Sequence, residues 1–198
     1  MNMKKVRSNE VRVPLAELRT PTRRPMNTIT SLRKLFVYYK GLGEKALAQV
    51  PEEDLHRTVG EDGNSIAVII RHIAGNARSR FTEFLTSDGE KPWRDREAEF
   101  MDDHATRSAL LAEWDAGWAC LLGVLDGLTE TDLGRVVHIR NEAHTVEEAL
   151  HRQLAHYAYH VGQMVLLARA FVGSGWVSLS IPRGKSAVFN AEKFGKPA

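Results

Sequence analysis

The sequence predicts an all-α fold: a four-helix bundle followed by an irregular C-terminal arm. Three observations predict it. Four long segments carry apolar residues at helical spacing, residues suited to capping bracket them, and only one short stretch suits a hairpin. The chain has 198 residues, 43% hydrophobic and 26% charged, a composition that fits one domain with room for a core.

The first helix is expected from Ile29 to Val50. Leu32, Leu35, Phe36, Tyr39, Gly43, Ala46 and Leu47 share a face, and Pro51 is its stop. The second is expected from Ser65 to Leu85, after an Asp62-Gly63 turn. Asn64 or Ser65 is its N-cap, and Ile66, Ile69, Ile70, Ile73, Ala77 and Phe84 form its apolar face. A polar loop containing Asp88-Gly89 and Pro92 leads to the third helix. That helix, from Thr106 to Leu128, turns Leu110, Leu111, Trp114, Trp118, Leu121, Leu122 and Leu125 inward. A short helical turn and a small hairpin fit the segment around Arg135–His144. The fourth helix is expected from Thr145 to Val172. Thr145 and Glu148 have capping-box spacing, and Gly173 can end it. Beyond it, Trp176, Leu179, Ile181 and Phe189 are too apolar for a plain linker, so the arm should pack back onto the bundle. Residues 1–27 mix basic side chains with Pro14, Pro21 and Pro25 and are expected to be a flexible extension, leaving the domain at 28–198.

A formal net charge of +2 gives no strong pull toward nucleic acid. The single cysteine, Cys120, excludes an intrachain disulfide and fits a cytoplasmic location; mid-helix among apolar neighbours, it is expected to be a packing residue. No uninterrupted apolar stretch is long enough to span a bilayer, so neither a membrane nor a nucleic-acid partner is expected.

The histidines carry the chemistry. His156 and His160 stand at i, i+4 and therefore share one side of the fourth helix, at the edge of its apolar stripe, with Gln163 on the same side. On the second helix, His72, Asn76 and Arg80 form a polar line at i, i+4, i+8. Polar groups beside two apolar stripes are costly to bury unless they find partners, and the simplest partner for each line is the other. Three imidazoles suit a divalent ion such as Zn²⁺, Ni²⁺ or Fe²⁺ and leave coordination positions open. The bland alternative is three histidines hydrogen-bonded at a helix interface. His56, His104, His138, His144 and His151 are expected to be exposed.

Arg80, Arg94, Arg96 and Arg183 are candidates for holding an anionic substrate. For all but Arg80 the stronger expectation is pairing with Asp95, Glu97 or Glu99. Asn76 could orient a ligand or simply bridge helices. No Asp or Glu stands out beside the histidines. The back of the fourth helix carries a second apolar line, Ala155, Tyr159, Gly162 and Leu166. That line suits a symmetric dimer contact or the C-terminal arm.

Several stretches carry a resemblance: Asn64-Ser65-Ile66-Ala67, His72-Ile73-Ala74-Gly75-Asn76, Phe84 to Trp93, Leu154 to Gln163, and Leu179 to Ser186. In this order they resemble the DinB/YfiT-like superfamily of metalloenzymes, in a branch labelled a domain of unknown function. The resemblance covers residues 28 to 190. It implies an up-down-down-up four-helix bundle, often a homodimer, with one metal-binding histidine on the second helix and two on the fourth. Those map onto His72, His156 and His160. Some relatives are transferases or isomerases that use low-molecular-weight thiols such as bacillithiol or mycothiol. The expectation is thus a divalent-metal-dependent enzyme that transfers or activates such a thiol. Its metal ligands would be His72, His156 and His160, with Asn76, Arg80, Gln163 and Arg183 as orienting or substrate-binding groups. The alternative is a metal or small-ligand binding protein without turnover.

Overall fold

The computed structural model describes residues 27–195. The expectation for residues 1–26 lies outside them. The described chain is mostly helical, with one two-stranded sheet.

Helix α1 (Thr28–Leu47) starts where the Asn27 side chain accepts the Thr30 N–H at 2.8 Å. Its buried stripe is Ile29, Leu32, Phe36, Gly43, Ala46 and Leu47. Leu35, expected inward, lies on the flank of that stripe and is 42% exposed. Helix α2 (Ile66–Phe81) is capped by Ser65, whose hydroxyl accepts the Val68 N–H at 3.2 Å. Nearly every side chain of α2 is buried, so it is the central rod of the fold. It ends four residues before the expected Leu85. Glu83 takes a left-handed backbone at φ 50°, and the following loop folds back until Gly89 O accepts the Ser79 hydroxyl at 2.7 Å.

Helix α3 (Arg107–Gly127) is capped by Thr106 and buries Leu110, Trp114, Gly117, Trp118, Leu121 and Leu125. By length and composition alone α3 is apolar enough to cross a membrane, although Glu113 and Asp115 interrupt its apolar run. Here it supplies the core instead. Trp114, Trp118, Phe36 and Tyr157 form a contiguous aromatic cluster with ring centroids 5.3–6.4 Å apart. Gly117 lets α3 approach α2 closely, because a Cβ there would stand 2.7 Å from Ala74 Cα.

The hairpin is present. Strand β1 (Val136–Ile139) pairs antiparallel with β2 (Glu142–Thr145), and Arg140 and Asn141 make the turn with φ of 54° and 64°. Asp88 clamps this turn: its carboxylate accepts the N–H groups of Arg140 at 2.9 Å and Asn141 at 2.8 Å. Helix α4 (Val146–Val172) opens with the expected capping box, Thr145 with Glu148, and ends at Gly173, φ 61°.

Around one core, α2 packs chiefly on α3 and α1 on α4, while α2 also faces α4. That last contact brings the two polar lines together. The C-terminal arm departs from expectation in one respect. Trp176 and Leu179 pack against the core, and Val177 exchanges two hydrogen bonds with the Gln49 side chain. Residues Ser186–Phe194, however, form a fifth helix, α5, with no buried residue. The second apolar line of α4 remains exposed: Tyr159 is 54% and Leu166 67% accessible.

Candidate metal centre

His72 from α2 and His156 and His160 from α4 meet in the groove between the two helices. One ring nitrogen of each lies within 4.8 Å of the other two. His72 and His160 are buried, and His156 is half-buried.

Hydrogen bonds on the far side of each ring set its orientation. The Glu99 carboxylate lies 3.0 Å from His72 Nδ1 and accepts its proton, so the His72 Nε2 lone pair faces inward. Gln163 Oε1 stands 2.9 Å from His160 Nδ1 and fixes the same tautomer. His160 Nε2 is then a buried acceptor with no partner among the described residues. The His156 ring differs. Its Nδ1 lies 2.8 Å from the Gln153 amide nitrogen, and its Nε2 lies 3.2 Å from His72 Nε2. The same Gln153 nitrogen donates to Asn76 Oδ1 at 2.6 Å, and the Tyr157 hydroxyl donates to that oxygen at 3.2 Å. In this arrangement His156 carries its proton on Nε2 and shares it with His72. A half-turn of the Gln153 amide would set Oε1 against Nδ1 and free Nε2, so Gln153 decides which nitrogen His156 presents.

Glu99 overturns the expectation that no carboxylate stands beside the histidines. It belongs to a single 3-10 turn, Ala98–Phe100, packed on α2. It also accepts from Arg94 Nε at 2.7 Å and Nη2 at 2.8 Å. Burial alone would push the Glu99 carboxyl up, yet hydrogen bonds from His72 and Arg94 outweigh it and hold the carboxyl below its usual range. Gly75 makes room for it, since a Cβ there would collide with the Glu99 side chain. Gly75→Ala is expected to displace Glu99 from His72, to destabilise the fold by about 1–3 kcal/mol, and to weaken metal binding. Denaturant unfolding and metal titration of the variant check this.

The histidines open onto a cavity of about 670 Å³. Its wall is cationic, carrying Arg80, Arg94, Arg96, Arg140 and Arg152. Glu90 lies among Arg140 at 2.9 Å, Arg80 at 3.3 Å and Arg94 at 3.6 Å. Arg80, the arginine expected to be least committed to a carboxylate, is buried, donates to Gly89 O and pairs with Glu90, and desolvation lowers its pKa. Arg94 and Arg96 pair with Glu99 and Glu97, also as expected. Arg183 is not brought to this cavity: it sits in an exposed turn closed by a Lys185 N–H to Pro182 O bond of 3.0 Å and is not among the lining residues. Arg152 was not anticipated. It stands one turn before His156 and contacts His144 Nε2 at 3.3 Å, with no carboxylate partner among the described residues. Tyr159, read as part of the outer apolar line, also flanks the site, its ring centroid 4.1 Å from that of His160.

Burial pushes the His156 imidazole down to about 3, helped by the neighbouring His160 and His72. Burial takes His160 to about 4. The folded state therefore favours the neutral rings. As pH falls through the ordinary value of 6.5, the unfolded chain takes up protons first and stability drops, levelling only near the depressed values. The metal-free protein should melt at a lower temperature at pH 5 than at pH 7.5, and His160→Gln should flatten that dependence. Equal slopes in the two proteins would contradict this.

Four long helices around one core, with three clustered imidazoles lining a cavity that also carries arginines, define a helical-bundle protein with a candidate metal centre. The chain belongs to the family described as Protein of unknown function (DUF1572), whose sequence profile matches residues 25–185. No curated protein matches the sequence.

Proposed function

We propose that this protein is a divalent-metal-dependent enzyme of the DinB/YfiT-like kind. It activates or transfers a low-molecular-weight thiol bearing anionic groups. The observation that carries this reading is the buried His160 Nε2, without a partner among the described residues, clustered within 4.8 Å of ring nitrogens of His72 and His156 in the lining of a cationic cavity. An empty hydrogen-bond acceptor in that position costs stability unless a cation satisfies it. Three neutral imidazoles fit Zn²⁺, Ni²⁺ or Fe²⁺. A bound ion would supply Lewis acidity, lowering the pKa of a thiol or water beside it.

The protein's own groups do the rest. Glu99 and Gln163 hold two rings by their Nδ1 protons, and Gln153 with Asn76 sets the third. Arg152, bonded to His144 but to no carboxylate among the described residues, offers its charge to an anionic group, and Arg140 reaches the same cavity from the hairpin. The exposed line Ala155, Tyr159, Gly162 and Leu166 on α4 suits a homodimer contact.

The test is thiol transfer by untagged, metal-loaded protein against a panel of anionic and neutral thiols. Arg152→Ala is expected to raise KM for the anionic thiols about tenfold, the worth of one charge-assisted hydrogen bond, and to leave neutral thiols unaffected. Stoichiometric metal with no turnover of any thiol would instead make this a metal or small-ligand binding protein.

A further inference from the structure

We infer that the chain carries a second, independent site for a divalent transition metal, formed by His56, Asp102 and His104. The site lies between the chain after α1 and the loop before α3. One ligand atom from each residue falls within 4.8 Å of the others.

Hydrogen-bond bookkeeping points to a cation here. His56 Nε2 lies 3.0 Å from Ala105 O, and a carbonyl only accepts, so Nε2 carries a proton. In the neutral ring Nδ1 is then a bare lone pair. It faces Asp102 Oδ1 at 2.6 Å, another lone-pair atom. Two such atoms at that separation must share a cation. The His104 ring supplies a third donor, its centroid 5.3 Å from that of His56. His104 is held in the left-handed region, φ 53°, with its N–H donated to Asp102 Oδ1 at 2.9 Å. A proton between His56 and Asp102 would satisfy that pair but would not engage the His104 ring nitrogens gathered beside it. A metal ion uses all three.

Two imidazoles and one carboxylate suit Zn²⁺, Ni²⁺ or Co²⁺. Bonds of about 2.0 Å in tetrahedral geometry place donor atoms about 3.2 Å apart, so the His56–Asp102 pair must open by about half an ångström. Asp102 is on an exposed loop and free to give that. The consequence is mechanical. Three residues before Asp102 lies Glu99, which orients His72, and Phe100 stacks against the His72 ring at 4.8 Å. An ion on Asp102 would tether the segment that holds the first centre in place.

The test is Zn²⁺ titration of the untagged full chain at pH 7.5 by calorimetry, with equilibrium dialysis to count ions. His104→Ala should remove one equivalent and leave the other bound, at an affinity lowered only by loss of the tether. His160→Ala should remove a different one, and the double variant should bind none stoichiometrically. Far-ultraviolet circular dichroism confirms that each variant folds. If His160→Ala alone abolishes binding and His104→Ala changes nothing, the second site is refuted and His56–Asp102 is a proton-bridged pair. If His104→Ala alone abolishes binding, the second site stands and the three-histidine reading fails. Should the alanine variant not fold, His104→Gln, which keeps the size and removes the imidazole, gives the same reading.

Discussion

His160→Ala is expected to abolish stoichiometric metal binding at the α2–α4 centre while leaving the metal-free protein folded. Losing a donor should cost more than the about 10–100-fold that follows loss of a hydrogen-bonding partner to a ligand. The hydrogen-bond cost should be small, because the deleted Nε2 has no partner among the described residues and the Nδ1 partner, Gln163, is solvent-exposed and can turn to water. Metal titration and denaturant unfolding of the same preparation separate the two effects. A variant that keeps wild-type affinity would mean that His160 is a packing residue.

Glu99→Ala should have the largest combined effect. Glu99 bridges His72 and Arg94, and the Arg94 side chain is only 2% exposed. Removing one partner of a buried pair leaves an uncompensated charge and costs about 3–5 kcal/mol. Glu90, 3.6 Å from Arg94, should hold the loss toward the lower end. Metal affinity should fall about 10–100-fold as His72 loses the group that orients it. Glu99→Gln, which keeps an acceptor for His72 but not the charge for Arg94, should lie between the alanine variant and the native protein on both measures. Wild-type stability in Glu99→Ala would refute the buried bridge.

Much of this site was legible in the sequence, because helices convert spacing into direction. His156 with His160 and His72 with Asn76 and Arg80 could be placed on inward faces from periodicity alone. The same logic reaches further. Gln153 precedes His156 by three and Gln163 follows His160 by three, so each glutamine stands over the ring that it touches. Arg152 precedes His156 by four. By the same spacing that marks Gln163, the sequence marks Gln153 and Arg152.

Glu99 is a different case. It sits on one 3-10 turn in an irregular segment, where no period fixes direction. Its one sequence trace is Gly75, whose missing side chain becomes meaningful only when the loop is seen against α2. Arg183, which does not line the cavity, shows the same limit in reverse: residues of an irregular arm cannot be assigned to a cavity by spacing. The end of α2 was overestimated because Phe84 continues the apolar period, yet the chain turns at Glu83 and buries Phe84 from the loop instead.

The proposed function turns on whether three imidazoles from two helices hold one divalent ion. X-ray absorption spectroscopy at the metal edge, on untagged His104→Ala protein after elemental analysis, tests it most directly. That variant removes the second site and leaves the first. The expected result is one ion per chain with three imidazole nitrogens at about 2.0–2.1 Å for zinc and a remaining coordination position filled by a light atom. A protein that takes up no stoichiometric ion, or binds one without an imidazole shell, would contradict the account.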